Sequence, residues 1–238
     1  MKYTRYDYRR KKEDKMSFGV MLLSIVLAAI LIGTLLSNMF LKGGEKLKPQ
    51  SGGDSKGVQQ KVDNNTGNSY NFVLAQAGYY GIEDNAKLQK EKLKTAGIPF
   101  MVKDEGGFRV FAGIFLESEY DDVKNKLTQL NIENSKVTYE VDIREKSTKL
   151  LVEIIKGHLQ ILNALSQNNA AAVKTEEFKG WLKKETDKLE QGNKNYDLIE
   201  EYTAYINSLP EEIDNSKVEE GYLLIYKMIL KIGSKKVM

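Results

Sequence analysis

The 238-residue sequence contains no cysteine and a single histidine, His158. Without cysteine the chain forms no disulfide bond and has no thiolate nucleophile, so any domain outside the cytoplasm must be stabilised by packing alone. One histidine and no cysteine also make a zinc site built from protein side chains improbable. The sequence therefore indicates neither a metal nor a cofactor.

Charge is absent from residues 16–41, a run of mainly apolar side chains. As a helix this run would reach about 39 Å, against about 30 Å for the hydrocarbon core of a membrane. A cleaved signal peptide fits less well, because its apolar part is shorter and ends at a small-residue cleavage site. A buried core helix is also disfavoured, since the segment has no polar face. We predict a single transmembrane helix over 16–41.

The charges on either side of this segment predict its orientation. Seven basic residues lie in residues 1–15, whereas the near side beyond the segment carries only Lys42, Lys46 and Lys48. The more basic flank normally stays in the cytoplasm. We therefore expect 1–15 to be a cytoplasmic basic arm, and everything from Lys42 onward to lie outside the cytoplasm as part of a single-pass protein of the cell membrane.

The remaining positive charge is unevenly distributed. Residues 1–69 hold 12 basic and 6 acidic side chains, 70–142 hold 9 and 12, and 143–238 hold 15 and 15. The two outer regions are thus acidic and neutral, which removes the electrostatic basis for a nucleic-acid partner. Residues 42–69 contain six glycines and few aliphatic residues, so we predict a flexible linker there.

Residues 70–142 show a regular alternation of strand and helix patterns. The predicted order is strand, helix, strand, strand, helix, strand, which is the βαββαβ order of a ferredoxin-like sandwich. We therefore expect an α+β fold. Strands are predicted at 72–78, 98–102, 108–113 and 137–141, and helices at 86–96 and 120–130.

Three short motifs lie at matching points of this order. They are Gln-Ala-Gly-Tyr-Tyr at 76–80, Asn-Ala at 85–86 with Leu-Lys-Thr-Ala-Gly at 93–97 in the same helix, and Phe-Arg-Val-Phe-Ala-Gly-Ile-Phe at 108–115. Together they resemble the SPOR (sporulation-related repeat) family, and the resemblance covers about 70–142 and nothing else. Two positions depart from the family pattern: Tyr79 replaces a small residue, and Ile114 stands where proline is common.

The resemblance implies binding of peptidoglycan, with a preference for glycan strands stripped of stem peptides at division or sporulation septa. Strand alternation directs Val73, Ala75, Ala77, Val110 and Ala112 toward the helices, so the opposite face of the sheet should be open. On that face we expect hydrogen-bonding, aromatic and glycine positions suited to a flat sugar polymer. The predicted glycan-binding residues are Gln76, Gly78, Tyr79, Arg109, Phe111 and Gly113.

Other interpretations of this region remain open. Gln76 and Arg109 are also compatible with an ordinary solvated sheet face, whereas Tyr80 and Phe115 are expected to pack in the core. An aromatic and basic third strand also occurs in RNA-recognition domains, but the net charge of 70–142 and the predicted topology argue against RNA. The main alternative is a membrane-tethered scaffold whose ferredoxin-like region binds protein.

Residues 143–238 carry four apolar stripes at helical spacing, which predict a small bundle of unknown role. A protein partner for these helices is a further expectation. His158 lies on an apolar stripe and should be packed, and the paired glutamates at 176, 200, 211 and 219 should lie on solvated helix faces. The least favoured hypothesis is that the protein hydrolyses the cell wall with carboxylates of the bundle. With no catalytic constellation, we predict a protein that is not an enzyme.

Overall fold

A computed structural model of the protein describes residues 67–236. Within this range the fold is α+β, with six α-helices and a five-stranded antiparallel sheet, and this confirms the predicted class. In chain order the elements are β1 (Ser69–Tyr80), α1 (Glu83–Leu93), β2 (Phe100–Asp104), β3 (Gly107–Leu116), α2 (Tyr120–Gln129), β4 (Ser135–Asp142), α3 (Lys146–Ser166), β5 (Ala172–Lys174), α4 (Glu176–Thr186), α5 (Tyr196–Ser208), β6 (Glu212–Asp214), α6 (Val218–Ile232) and β7 (Gly233–Lys236).

The basic arm, the transmembrane helix and nearly all of the linker were predicted for positions outside the described residues. Among residues 67–236, every helix is too short or too polar to cross a bilayer. The predictions for 1–15, 16–41 and 42–66 accordingly stay predictions.

The large sheet has the strand order β2-β3-β1-β4-β7, and all neighbouring strands are antiparallel. The order strand, helix, strand, strand, helix, strand over β1 to β4 agrees with the sequence pattern. The edge strand β7 was not predicted, because Gly-Ser-Lys-Lys has no alternation of apolar residues. It pairs with β4 from Val141↔Gly233 to Thr138↔Lys236.

One face of the sheet packs against α1 and α2. Val73, Ala75 and Ala77 of β1 form a buried cluster with Val110 and Phe115 of β3 and with apolar residues of the two helices. Tyr80 and Ala112 pack against the same cluster. The predicted direction of these strand residues and the core role of Phe115 and Tyr80 are confirmed, since this face buries the apolar half of each strand.

The opposite face is covered over its centre by α3 and α6, so the prediction that it is open is wrong there. Phe72, Leu74 and Ile114 are fully buried on this side. The Phe100 ring lies 5.5 Å from the Tyr222 ring of α6. The apolar stripes of α3 and α6 have to be buried somewhere, and this sheet face is the apolar surface they cover.

The helices of 143–236 thus differ from the predicted separate bundle. Their stripes are buried as expected, with Ile154, Tyr202, Ile206 and Ile225 fully buried. Two of the helices, however, pack on the sheet, while α4, α5 and strand β5 of the two-stranded β5-β6 sheet pack against α3. Packing therefore continues across the boundary predicted between 142 and 143, and among residues 67–236 both sides lie in one compact unit.

Candidate functional site

Two irregularities in the pairing of β1 with β3 set which side chains share a face. The partners run Leu74↔Ile114, Gln76↔Phe111 and Gly78↔Val110, so β3 has one extra residue in the first step and β1 one in the second. Each extra residue is a β-bulge, which shifts the alternation of side chains by one position. Gln76 and Phe111 therefore share the face that α6 partly covers.

Gly78 and Gly113 lie on the other face, contrary to the prediction. A Cβ at Gly78 would be 2.5 Å from the Tyr80 ring, and one at Gly113 would be 2.6 Å from the Phe115 ring. Both rings belong to the core against α1 and α2. The two glycines therefore make room for aromatic packing instead of facing a ligand, and the correction follows from the bulges, which strict alternation does not reveal.

Three of the predicted residues do meet, around a carboxylate that the prediction did not include. Nε of Arg109 donates to Oδ2 of Asp104 at 2.6 Å, and Nη1 of Arg109 donates to Oε1 of Gln76 at 3.3 Å. The Tyr79 hydroxyl donates to Oδ1 of Asp104 at 3.1 Å. The guanidinium carbon of Arg109 lies 4.7 Å from the Tyr79 ring centroid, which is a cation–π contact.

The electrostatics of this cluster favour a charged Asp104. Burial raises the pKa of its carboxyl, but hydrogen bonds from Arg109, from the Gly106 amide and from Tyr79 outweigh burial and lower the pKa overall. The pKa of Tyr79 is raised, first by burial and then by its bond to Asp104. The phenol therefore stays protonated and remains a donor, and the Arg109 fork is held in one orientation.

Gln76, Asp104 and Arg109 of this cluster line a pocket of about 230 Å³, whereas Tyr79 is not part of its lining. Tyr226 of α6 closes the pocket from above the sheet, and burial raises the pKa of its phenol to about 12. Lys235 of β7 stands beside Tyr139 of β4, its partner in the strand register. The lining residues are Gln76, Asp104, Arg109, Phe111, Val137, Tyr139, Tyr226 and Lys235.

Phe111 forms the floor of this pocket and belongs mainly to the core. Its side chain is 1% exposed. Its ring stacks on Phe100 with centroids 5.0 Å apart and lies 5.6 Å from the Tyr226 ring. The prediction placed Phe111 on an open surface, whereas α6 and Phe100 enclose it.

Five lining residues were missed by sequence reasoning: Asp104, Val137, Tyr139, Tyr226 and Lys235. Asp104 ends β2 and pairs with Gly107 across the β2-β3 hairpin. A carboxylate five positions before Arg109 was an available signal for an ion pair. Val137 and Tyr139 belong to the predicted fourth strand, and their place at the pocket comes from the pairing of β4 with β1. Tyr226 and Lys235 gave no such signal, because only the covering helix and β7 bring them to the sheet end.

The remaining titratable candidates lie elsewhere and do not form a reactive group. Nδ1 of His158 is 2.8 Å from the Tyr202 hydroxyl oxygen, and burial lowers the pKa of the imidazole to about 3. The prediction that His158 is packed is confirmed. The paired glutamates are mostly exposed. In the described part of the chain, no cluster of His, Cys, Asp and Glu has the composition of a metal site.

Comparison of the chain with protein-family models, curated proteins and solved structures found no match. The motifs at 76–80, 85–86 and 108–115 are thus the basis for the SPOR resemblance.

Proposed function

We propose that this chain is a single-pass membrane protein whose extracytoplasmic part binds peptidoglycan glycan strands, with stem peptides removed, at a division or sporulation septum. The observation that carries the proposal is the meeting of Gln76, Tyr79 and Arg109, where Gln76 and Arg109 line the pocket and Tyr79 contacts Arg109. These are three of the motif positions that resemble the SPOR family.

The chemistry of the cluster suits a sugar polymer. Tyr79 is 46% exposed and offers an aromatic face for the apolar side of a sugar ring. Gln76 donates and accepts hydrogen bonds, and Arg109 donates from a planar fork that Asp104 holds in place. Holding the fork before binding reduces the ordering cost that a ligand must overcome.

The covering helix sets the mode of binding. Because α6 and Phe100 bury the centre of the sheet face, a glycan strand does not lie flat across it. The pocket volume is below the roughly 300 Å³ typical of the smallest drug-sized sites, which suits one sugar unit. We propose that one sugar enters the pocket while its neighbours in the strand contact the exposed surface at Tyr79.

Within this proposal β1 to β4 with α1 and α2 form the ferredoxin-like, SPOR-like module. The helices of 143–236 complete its pocket and offer an outer surface to a protein partner. The basic arm stays in the cytoplasm, 16–41 spans the membrane, and the linker gives the binding unit reach. The role in this proposal is binding and not catalysis.

Co-sedimentation with insoluble peptidoglycan tests the proposal. The full-length protein in mild detergent should pellet with wall stripped of stem peptides, and Gln76→Ala and Tyr79→Ala should each weaken binding by about 1 to 3 kcal/mol. Tyr196→Ala is a matched control, because the Tyr196 hydroxyl also donates to a carboxylate, that of Glu200.

If all three variants pelleted with wall equally well, the glycan would bind at another part of the protein. If no form of the protein pelleted with wall, the scaffold hypothesis would take the place of glycan binding. A protein partner for the helices would then be the interaction to test first.

A further inference from the structure

The charged groups lining the pocket are two cations and one carboxylate. They are Arg109, Lys235 and Asp104. The Asp104 carboxylate already accepts hydrogen bonds from Arg109, Tyr79 and the Gly106 amide. Arg109 uses Nε and Nη1 in bonds to Asp104 and Gln76, and among the described residues Nη2 has no partner. The pocket thus keeps a surplus of positive charge.

Lys235 is the second source of that surplus. Its neighbour Lys236 pairs with Glu140 at 3.1 Å, whereas no carboxylate within residues 67–236 lies within ion-pair distance of the Lys235 ammonium. Lys235 is opposite Tyr139 in the register of β7 with β4, on the side that faces Gln76 and Phe111. A cation is therefore placed at the pocket without an anion from the described chain.

We infer that the pocket selects a saccharide that carries a carboxylate, and that Lys235 and the free edge of Arg109 are the groups that bind it. This inference depends on the proposed glycan binding. In peptidoglycan the lactyl carboxylate of muramic acid is free where the stem peptide has been removed, and it is an amide where the peptide remains. A charge-assisted contact to the free acid would give the pocket a chemical means of choosing stripped strands.

Alternation assigns Lys235 and Lys236 to opposite faces, so the two lysines form a matched pair. Lys235→Gln removes the pocket cation, and Lys236→Gln removes a charge at the next position that faces Glu140. Both side chains are exposed, and neither substitution disturbs the core. A general loss of positive charge would affect both variants equally, whereas a contact to the ligand affects only the first.

Isothermal titration calorimetry of the full-length chain in mild detergent, with two soluble tetrasaccharides, tests whether the pocket prefers a free carboxylate. One has free lactyl carboxylates and the other carries them as methylamides. We expect the acid to bind at least about tenfold more tightly than the amide, because a hydrogen bond to a charged group is worth roughly 1.5 to 3 kcal/mol. Lys235→Gln should remove most of this preference, and Lys236→Gln should keep it.

Equal affinity for acid and amide would overturn the inference while leaving glycan binding in place. A preference retained in Lys235→Gln would overturn the role of Lys235. No binding of either sugar would overturn the inference together with the proposed function. D-alanyl-D-alanine is included as a competitor. If it displaced the acid tetrasaccharide, the pocket would bind a peptide carboxylate, which also contradicts the inference.

Discussion

Acid should destabilise this protein through His158, and replacing that residue should remove a defined part of the effect. The imidazole is 1% exposed, and burial lowers its pKa from 6.5 to about 3. In the unfolded chain the same group takes up a proton below about pH 6.5. The unfolded state therefore binds more protons than the folded state across this window, and its free energy falls relative to the folded state as pH decreases.

The magnitude follows from the two pKa values. Stability contributed by neutral His158 is complete above the unfolded pKa and is lost progressively as pH falls toward the folded pKa. Each pH unit within the window costs about 1.4 kcal/mol, so lowering the pH from 6.5 to 4 should remove about 3 kcal/mol. That loss is a large fraction of the roughly 5 to 15 kcal/mol by which a typical domain is stable.

Urea unfolding followed by circular dichroism, at constant ionic strength and at several pH values, measures the loss. His158→Asn is the matched variant, because its carboxamide retains a hydrogen-bonding group for the Tyr202 hydroxyl but does not titrate. The variant starts from a lower stability, so the comparison is between slopes. Carboxylates such as Asp142, whose pKa is lowered to about 2 by bonds from Arg144, contribute equally to both proteins. Parallel curves for the two proteins would refute this account of His158.

Three further outcomes are expected. Phe111→Ala should lower the free energy of unfolding, measured with urea, by about 3 to 5 kcal/mol, because the ring is buried between Phe100 and Tyr226. A loss under about 1 kcal/mol would show that α6 does not cover this sheet face. A fragment of residues 67–142 should fail to give a cooperative melt, because it exposes the face that α3 and α6 cover; a sharp melt would instead support the composition boundary. Gly221→Ala should destabilise by about 1 to 3 kcal/mol, since its Cβ would be 2.6 Å from Leu162, while Gly180→Ala, with nothing within 4 Å, should stabilise α4 by up to about 1 kcal/mol; the reverse ranking would contradict the packing.

The sequence predicted strands β1 to β4 of the sheet because their apolar residues form recognisable strand patterns. The inward direction of Val73, Ala75 and Val110 follows from the alternation of side chains along a strand, and so does the meeting of Gln76 with Arg109 on the other face. Local patterns of this kind depend on nearest neighbours, which the sequence displays directly.

What was missed depends on contacts between distant parts of the chain. The stripe on α6 indicated burial but not the surface that buries it, so the covering of Phe111 was not foreseen. The bulges that turn Gly78 and Gly113 to the other side come from the register between strands. β7 has no pattern of its own, and it exists because the edge of β4 offers it backbone hydrogen bonds.

The edge strand β7 gives the pocket an unusual dependence on folding order. Gln76 lies in the first strand of the described range and Lys235 in its last, so the two sides of the pocket are brought together by some of the most distant contacts in this part of the chain. Closing so long a loop costs entropy that is repaid only when the intervening helices are packed. Partly folded chains would therefore contain the sheet without the complete pocket, and ligand binding would report on completed folding.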